Sequence, residues 1–476
     1  MKVRTRFAPS PTGFMHLGGM RTALYAFLYA KKHGGDFILR IEDTDQERFV
    51  EGAIDVIYSS LNEGGITYDE GPDKGGDFGP YVQSERKAMY LDYAKKLVEL
   101  GGAYYCFCSK ERLESLTDAN GNRKYDKHCL NLSKEEIQAR LDAGEPYVIR
   151  QNIPTEGKSS YDDLVYGTIT VDYSELEDNI LIKSDGMPTY NFANVVDDHL
   201  MQISHVIRGT EYLSSTPKYN LMYDAFGWER PQYIHLPTIM KDATRKLSKR
   251  YGDANFDDFV NKGYLPEAIV NYVALLGWSP KENIEKMSMA QMIELFSLDG
   301  VSKSPSIFDD VKLRWLNGEY LKEMSTEDFA KVAKPFFEKS KVYGKYDLML
   351  LSDLLKTRVE ILSEIPDKIN FLEEFGEYDT ALFFHKKMKT DAEMAKTVLP
   401  WIRETLENVE FTHDAIHDAL LGLAQEKQLK NGQILWPARV ALTGKDVTPG
   451  GAIEMALILG KEECLRRIDF SMNLLK

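Results

Sequence analysis

The period of the apolar positions changes several times along the chain, and each change marks an element. Val3–Phe7 reads as a short strand. The run Met20–His33 then carries Ala23, Leu24, Phe27 and Leu28 on one helical face, until Gly34 and Gly35 stop it. Phe37–Ile41 reads as a buried strand, and Glu51–Asn62 as a second amphipathic helix closed by Gly64 and Gly65. Strand, helix and strand in this order predict a parallel βαβ unit, with its ligand crevice at the carboxyl ends of the strands. Residues 101–186 break the rhythm with irregular stretches, three cysteines and a strand-like run at Leu164–Val171, and are expected to be an insertion. Alternation resumes with strands at Val206–Arg208 and Tyr233–His235 on either side of a helix at Pro217–Phe226. From Leu265 the apolar spacing is helical almost to the end, which predicts an all-α C-terminal third.

Composition narrows the class. A chain of 476 residues should form several domains, because single cores stop growing near ~250–300 residues. Its 43% hydrophobic and 28% charged residues are those of a globular protein. No apolar run approaches the ~20 residues of a membrane span, and the first residues lack the apolar core of a signal peptide, so a cytoplasmic protein with no membrane partner is expected. The net charge of −15 is uneven: residues 1–330 carry −13 and residues 331–476 only −2. Polyanion binding depends on where Lys and Arg sit, so the nearly neutral tail stays compatible with RNA. Four cysteines make no disulfide framework, and the grouping of Cys106, Cys108 and Cys129 points toward a metal.

Two segments carry the chemistry. Arg6 to Gly19 places glycines and His16 just before a helix, where backbone N–H groups can converge on a phosphate. Lys246-Leu-Ser-Lys-Arg250 adds mobile positive charge. A carboxylate that attacks the α-phosphorus of ATP and expels pyrophosphate needs both a fixed cradle and cations that meet the developing charge.

Taken in order and spacing, Ala8-Pro-Ser-Pro-Thr-Gly13, His16-Leu-Gly-Gly19, Leu39-Arg-Ile-Glu-Asp-Thr-Asp45, Tyr190-Asn-Phe-Ala-Asn194, Arg208-Gly-Thr-Glu211 and Lys246-Leu-Ser-Lys-Arg250 resemble the landmarks of bacterial-type glutamyl-tRNA synthetases of class I. The resemblance covers the whole chain and is looser after about residue 320. It implies an α/β catalytic domain with a Rossmann-like parallel sheet, an inserted α+β domain that meets the tRNA acceptor end, and an all-α C-terminal half. The implied boundaries are 1–81 with 187–243 for catalysis, 82–186 for the insertion, 244–323 for a stem-contact domain and 324–476 for anticodon binding, the last divided near 378.

The resemblance also implies roles. Arg6 and Arg208 would be carboxylate partners, Ser10 and Glu42 amino-group contacts, and Ala8, Tyr190 and Asn194 would complete the glutamate pocket. His16, Gly18, Gly19, Lys246, Ser248, Lys249 and Arg250 would handle the phosphates, with Glu211 near the ribose and Ile239 near adenine. His16, Lys246 and Lys249 would be catalytic, and Leu247 would fill an apolar slot. ATP would come with Mg²⁺. Arg358 would contact the anticodon, with Trp401 and Trp436 as candidate stacking groups. Cys106, Cys108 and Cys129, with Tyr125 or His128 as a fourth ligand, could hold Zn²⁺ in a structural tetrahedral site. The implied partners are glutamate, ATP and glutamate tRNA, with glutamine tRNA open, for a chain acting as a monomer. Gly19 departs from the usual second histidine of the signature, which leaves His16 as the side-chain donor there. A glutaminyl-tRNA synthetase and a catalytically inactive tRNA-binding protein on the same scaffold are the competing readings.

Overall fold

The computed structural model describes residues 2–48, 50–116, 125–247 and 255–476. They fall into two units, 1–260 with 266–310 and 261–265 with 311–476. No helix among the described residues is long and apolar enough to cross a membrane.

The first unit is built on parallel strands. Strand β1 (Arg4–Phe7) leads into α1 (Leu17–Lys32) and returns as β2 (Asp36–Leu39), paired parallel to β1 with Arg6 opposite Ile38. After α2 (Ala53–Glu63) and α3 (Lys87–Glu99), strands β3 (Ala103–Cys106), β4 (Val148–Gln151) and β7 (Ile180–Ile182) form a separate antiparallel sheet. Two short helices, α4 (Lys110–Ser115) and α5 (Lys134–Asp142), lie between β3 and β4 in sequence. Helix α6 (Tyr190–Leu200) then leads to β8 (His205–Gly209), α7 (Thr216–Phe226) and β9 (Gln232–Leu236). The β8 and β9 strands are parallel, with Arg208 opposite His235. Ser204 ties this pair to β1: its N–H donates to the Arg4 carbonyl at 3.0 Å, and its hydroxyl accepts from the Arg4 N–H at 2.7 Å.

The expected βαβ unit is present, with two differences. Helix α1 starts at Leu17, three residues before Met20, so Gly18 and Gly19 lie inside its first turn and not in a preceding loop. The strand-like run Leu164–Val171 is a turn at 164–166 followed by β6 (Gly167–Asp172). Its partner β5 (Lys158–Asp163) buries Ser159, Tyr161 and Asp163, and because two of these three are polar its period of two carries little hydrophobic signal. This hairpin lies within the segment expected as an insertion, yet β5 pairs parallel with β9 through Asp163 and Tyr233 and thereby extends the β8–β9 sheet.

From residue 311 every named regular element among the described residues is helical. Side-chain caps start several of these helices: Ser325, Asp347, Asp391 and Thr412 each accept from a backbone N–H of the first turn. In Ala392–Asn408 the buried positions Ala395, Val398, Leu399, Ile402 and Leu406 recur at three and four, the spacing that buries one face.

Candidate active site

The carboxyl ends of β1, β8 and β9 and the N-terminus of α1 surround a cavity of about 500 Å³. Arg6, Ala8 and Ser10 line it from the β1 end, His16, Gly18 and Gly19 from the start of α1, and Glu42 from the chain beyond β2. Tyr190, Arg208, Glu211, Ile239 and Lys246 complete the wall. The sequence segments that suggested chemistry therefore converge on one cavity.

His16 is the N-cap of α1, and its Nδ1 accepts from the Gly18 N–H at 3.0 Å. An accepting Nδ1 carries no proton, so the neutral ring holds its proton on Nε2 and can donate from there. A Cβ at position 18 would come within 3.3 Å of Nδ1, which is why glycine suits this turn. The N–H groups of this first turn, with the positive end of the helix dipole, form an anion site beside the imidazole.

The charges beneath the cavity are paired unequally. Arg6 donates from Nε to Asp198 Oδ1 at 3.0 Å and from Nη2 to Oδ2 at 3.3 Å. Arg40, with no exposed surface, bridges Asp198 at 2.8 Å and Glu42 at 2.8 Å. Burial raises the Asp198 carboxyl, but the two guanidinium groups outweigh it and hold the acid below its ordinary range. For Glu42 burial outweighs Arg40 and Arg6, and the carboxyl lies above its ordinary value. Arg208 differs from both other arginines. Its Nε donates to His235 Nε2 at 3.2 Å and its Nη2 to Thr216 Oγ1 at 2.7 Å, and the rings of Tyr212, Tyr219 and Tyr233 surround it at 5.0, 4.7 and 5.4 Å. No carboxylate among the described residues pairs with it. A buried guanidinium with no counterion is a standing anion site, because the desolvation already suffered is recovered when a carboxylate arrives.

Lys246 is exposed on the rim and forms an isolated bridge with Met240. Ahead of it, Asp242 Oδ1 accepts from the N–H groups of Thr244 and Arg245 and closes the loop into a tight turn. Leu247 is buried, in the apolar slot expected for it. Ser248, Lys249 and Arg250 lie outside the described residues. The Tyr190 ring packs against that of Tyr212 with centroids 5.6 Å apart and planes tilted by 38°. Asn194 does not line the cavity: it is buried one helical turn further on and donates to the Tyr190 carbonyl. Sequence reasoning missed Arg40, Asp198, Asp163 and His235. The adjacent acids Asp197 and Asp198 inside the apolar face of α6 were the available signal.

Away from the cavity, Cys106, Cys108 and Cys129 bring their sulfurs within 4.8 Å of one another. Tyr125 Oη lies 3.3 Å from Cys106 Sγ and 3.4 Å from Cys108 Sγ, whereas His128 is exposed and outside the cluster. A tetrahedral zinc with ~2.3 Å bonds sets its sulfurs ~3.8 Å apart, so three thiolates and the Tyr125 oxygen fit such an ion. In the helical unit, Arg358 is exposed, pairs with no carboxylate among the described residues, and lines a groove of about 460 Å³ with Lys368, Lys445 and Thr448. Trp401 and Trp436 are half-buried. Lys427 Nζ sits 5.0 Å over Trp401, and Trp436 donates to the Leu382 carbonyl with Arg439 4.3 Å from its ring.

These features have counterparts in known proteins. The model of the tRNA synthetase class I (E and Q) catalytic domain matches residues 2–315, and that of an anticodon binding domain matches residues 328–472. A glutamate–tRNA ligase of Clostridium botulinum is 59% identical over 484 aligned positions covering all of this chain and 99% of that protein, and one of Clostridium kluyveri is 57% identical over 100% and 98%. The crystal structure of a glutamate tRNA ligase from Elizabethkingia meningosepticum, in complex with its amino acid, superimposes with a TM-score of 0.89 at 35% identity over the full length of both chains. With the family's catalytic and anticodon-binding models matched in succession and such relatives aligned end to end, the chain belongs to the class I tRNA synthetases of the E and Q type.

Proposed function

We propose that the chain is a glutamate–tRNA ligase. It activates L-glutamate with ATP to the adenylate, releases pyrophosphate, and transfers glutamate to the 3′ end of its tRNA in the cytoplasm, acting as a monomer. The observation that carries this reading is Arg208, a buried guanidinium without a counterion in the cavity that also holds His16 and Lys246. Arg208, backed by Arg6, takes a carboxylate of glutamate, while Glu42 and Ser10 face its ammonium group. Glutamine in the same place would leave a guanidinium poorly paired, and polar sites of this kind reject such analogues by ~10⁴-fold or more.

An ionised carboxylate needs no base, so the protein's part is positioning and charge stabilisation. Nε2 of His16 and the first N–H groups of α1 hold the phosphates. Lys246, joined by Lys249, meets the charge that develops as the α-phosphorus is attacked. Glu211 and Ile239 face the ribose and adenine, and Mg²⁺ travels with ATP to neutralise its phosphates. The region from 82 to 186 serves the acceptor end, residues 244–323 the stem, and Arg358 the anticodon.

The test is glutamate-dependent ATP–pyrophosphate exchange with and without glutamate and glutamine tRNA transcripts. Exchange is expected with glutamate plus glutamate tRNA; activity with both tRNAs would define a broader specificity, and exchange that required glutamine would overturn the reading.

The cysteine cluster supports a structural zinc held by Cys106, Cys108, Cys129 and Tyr125. Elemental analysis of the purified protein is expected to find close to one zinc per chain, and Cys129→Ser is expected to abolish it. Cys464, buried elsewhere, is the control, and zinc that survived Cys129→Ser would rule the site out.

A further inference from the structure

Arg208 does not stand alone. Behind it, His235 is fully buried on β9, and behind His235 lies Asp163, the last residue of β5. Asp163 Oδ1 accepts from the N–H groups of Val165 and Tyr166 at 2.9 and 2.8 Å. Its Oδ2 accepts from the His235 backbone N–H at 3.0 Å and lies 2.7 Å from His235 Nδ1. The carboxylate thus holds four N–H donors and is fixed in orientation. With Nδ1 donating to Asp163, the neutral ring presents Nε2 as an acceptor, and it is Nε2 that receives the Arg208 Nε–H.

We propose that Asp163 and His235 are positioning residues for the glutamate-binding arginine, an inference that rests on the function proposed above: they fix the Arg208 guanidinium through a neutral acceptor, and so leave its positive charge to the substrate carboxylate. A carboxylate in direct contact would orient Arg208 equally well but would compete with the substrate, as Asp198 does at Arg6. An imidazole with its proton on Nδ1 orients without neutralising. The imidazolium would set Nε2–H against Arg208 Nε–H, two donors and two like charges, and burial lowers the His235 pKa away from that form. Arg208 and His235 face each other in the β8–β9 register, and Asp163 enters through the single β5–β9 pairing, so the relay is carried by three adjacent strands.

Three variants separate the contacts. His235→Gln can offer an amide oxygen where Nε2 lies, and so retains the acceptor for Arg208. His235→Asn can donate toward Asp163 in place of Nδ1 but cannot reach Arg208. His235→Phe removes both contacts at similar size. Glutamate and ATP KM values are measured in tRNA-supported pyrophosphate exchange, with circular dichroism to verify folding. For His235→Phe and His235→Asn, the KM for glutamate is expected to rise ~10–100-fold with the KM for ATP within about twofold, and His235→Gln should recover most of the loss. A merely structural role would change both KM values together or move only kcat; either result overturns the inference, as does an unchanged glutamate KM in the two variants that lose the acceptor. Lack of any glutamate-dependent exchange by the unaltered chain would overturn the proposed function itself, and this inference with it. Exchange by the unaltered chain without the glutamate-specific shift overturns the inference alone.

Discussion

Replacing Arg208 with methionine is expected to reduce kcat/KM for glutamate by ~10²–10⁴-fold while leaving the unliganded protein about as stable as before. The functional loss follows from the pairing: removing one member of a buried charge pair costs about 3–5 kcal/mol, because the other charge stays buried and unmatched. In the free protein no such partner exists, since no carboxylate among the described residues pairs with Arg208. Methionine forfeits the bonds to His235 and Thr216, about 1–3 kcal/mol of unsatisfied acceptors, and removes a buried charge whose desolvation costs a comparable several kcal/mol. Arg6→Met should behave differently. It strips Asp198 of a two-point partner and leaves Arg40 as the remaining cation, so a loss of about 3–5 kcal/mol in stability is expected alongside the loss of activity. Urea unfolding of both variants, with exchange kinetics in parallel, makes the comparison; a strongly destabilised Arg208→Met would contradict this account of an arginine without a counterion.

The second large effect is expected at Lys246. Lys246→Ala should lower kcat by ~10²–10³-fold, the scale of removing one group that stabilises transition-state charge, with both KM values changed only a few-fold. Its side chain is exposed, so the melting temperature should not move. Steady-state kinetics in ATP and glutamate decide the matter. A raised ATP KM at constant kcat would instead make Lys246 a binder of ground-state ATP.

Much of this arrangement is legible in the sequence wherever it depends on local periodicity or on a short motif. The βαβ unit, the helical tail, the buried Leu247 and the convergence of Arg6, His16, Glu42, Arg208 and Lys246 on one cavity follow from such signals. What stays hidden depends on partners distant in the chain. Asp163 looks like the end of a polar stretch until its four donors are seen, two of them 72 residues away on His235. The full burial of Arg40 cannot be read from its own neighbourhood alone, because Glu42, two residues on, is one of its partners and Asp198, 158 residues further on, is another. Strand β5 escapes a hydrophobicity count because Ser159 and Asp163 occupy inward positions that usually belong to valine or isoleucine.

The parallel pairing of β5 with β9 has a consequence for any attempt to trim the enzyme. A designer who excised residues 82–186 as a detachable cassette, seeking a minimal activating core, would take Asp163 away from His235 and bare the edge of β9. Such a miniature should charge poorly and self-associate through that edge. A shortened version would have to keep residues 158–172, because the hairpin belongs architecturally to the core it interrupts, and would also have to re-cover α6 and α7, whose Phe192, Val195 and Tyr219 share one apolar cluster with Ile149, Leu181 and Ile182 of the β3–β4–β7 sheet.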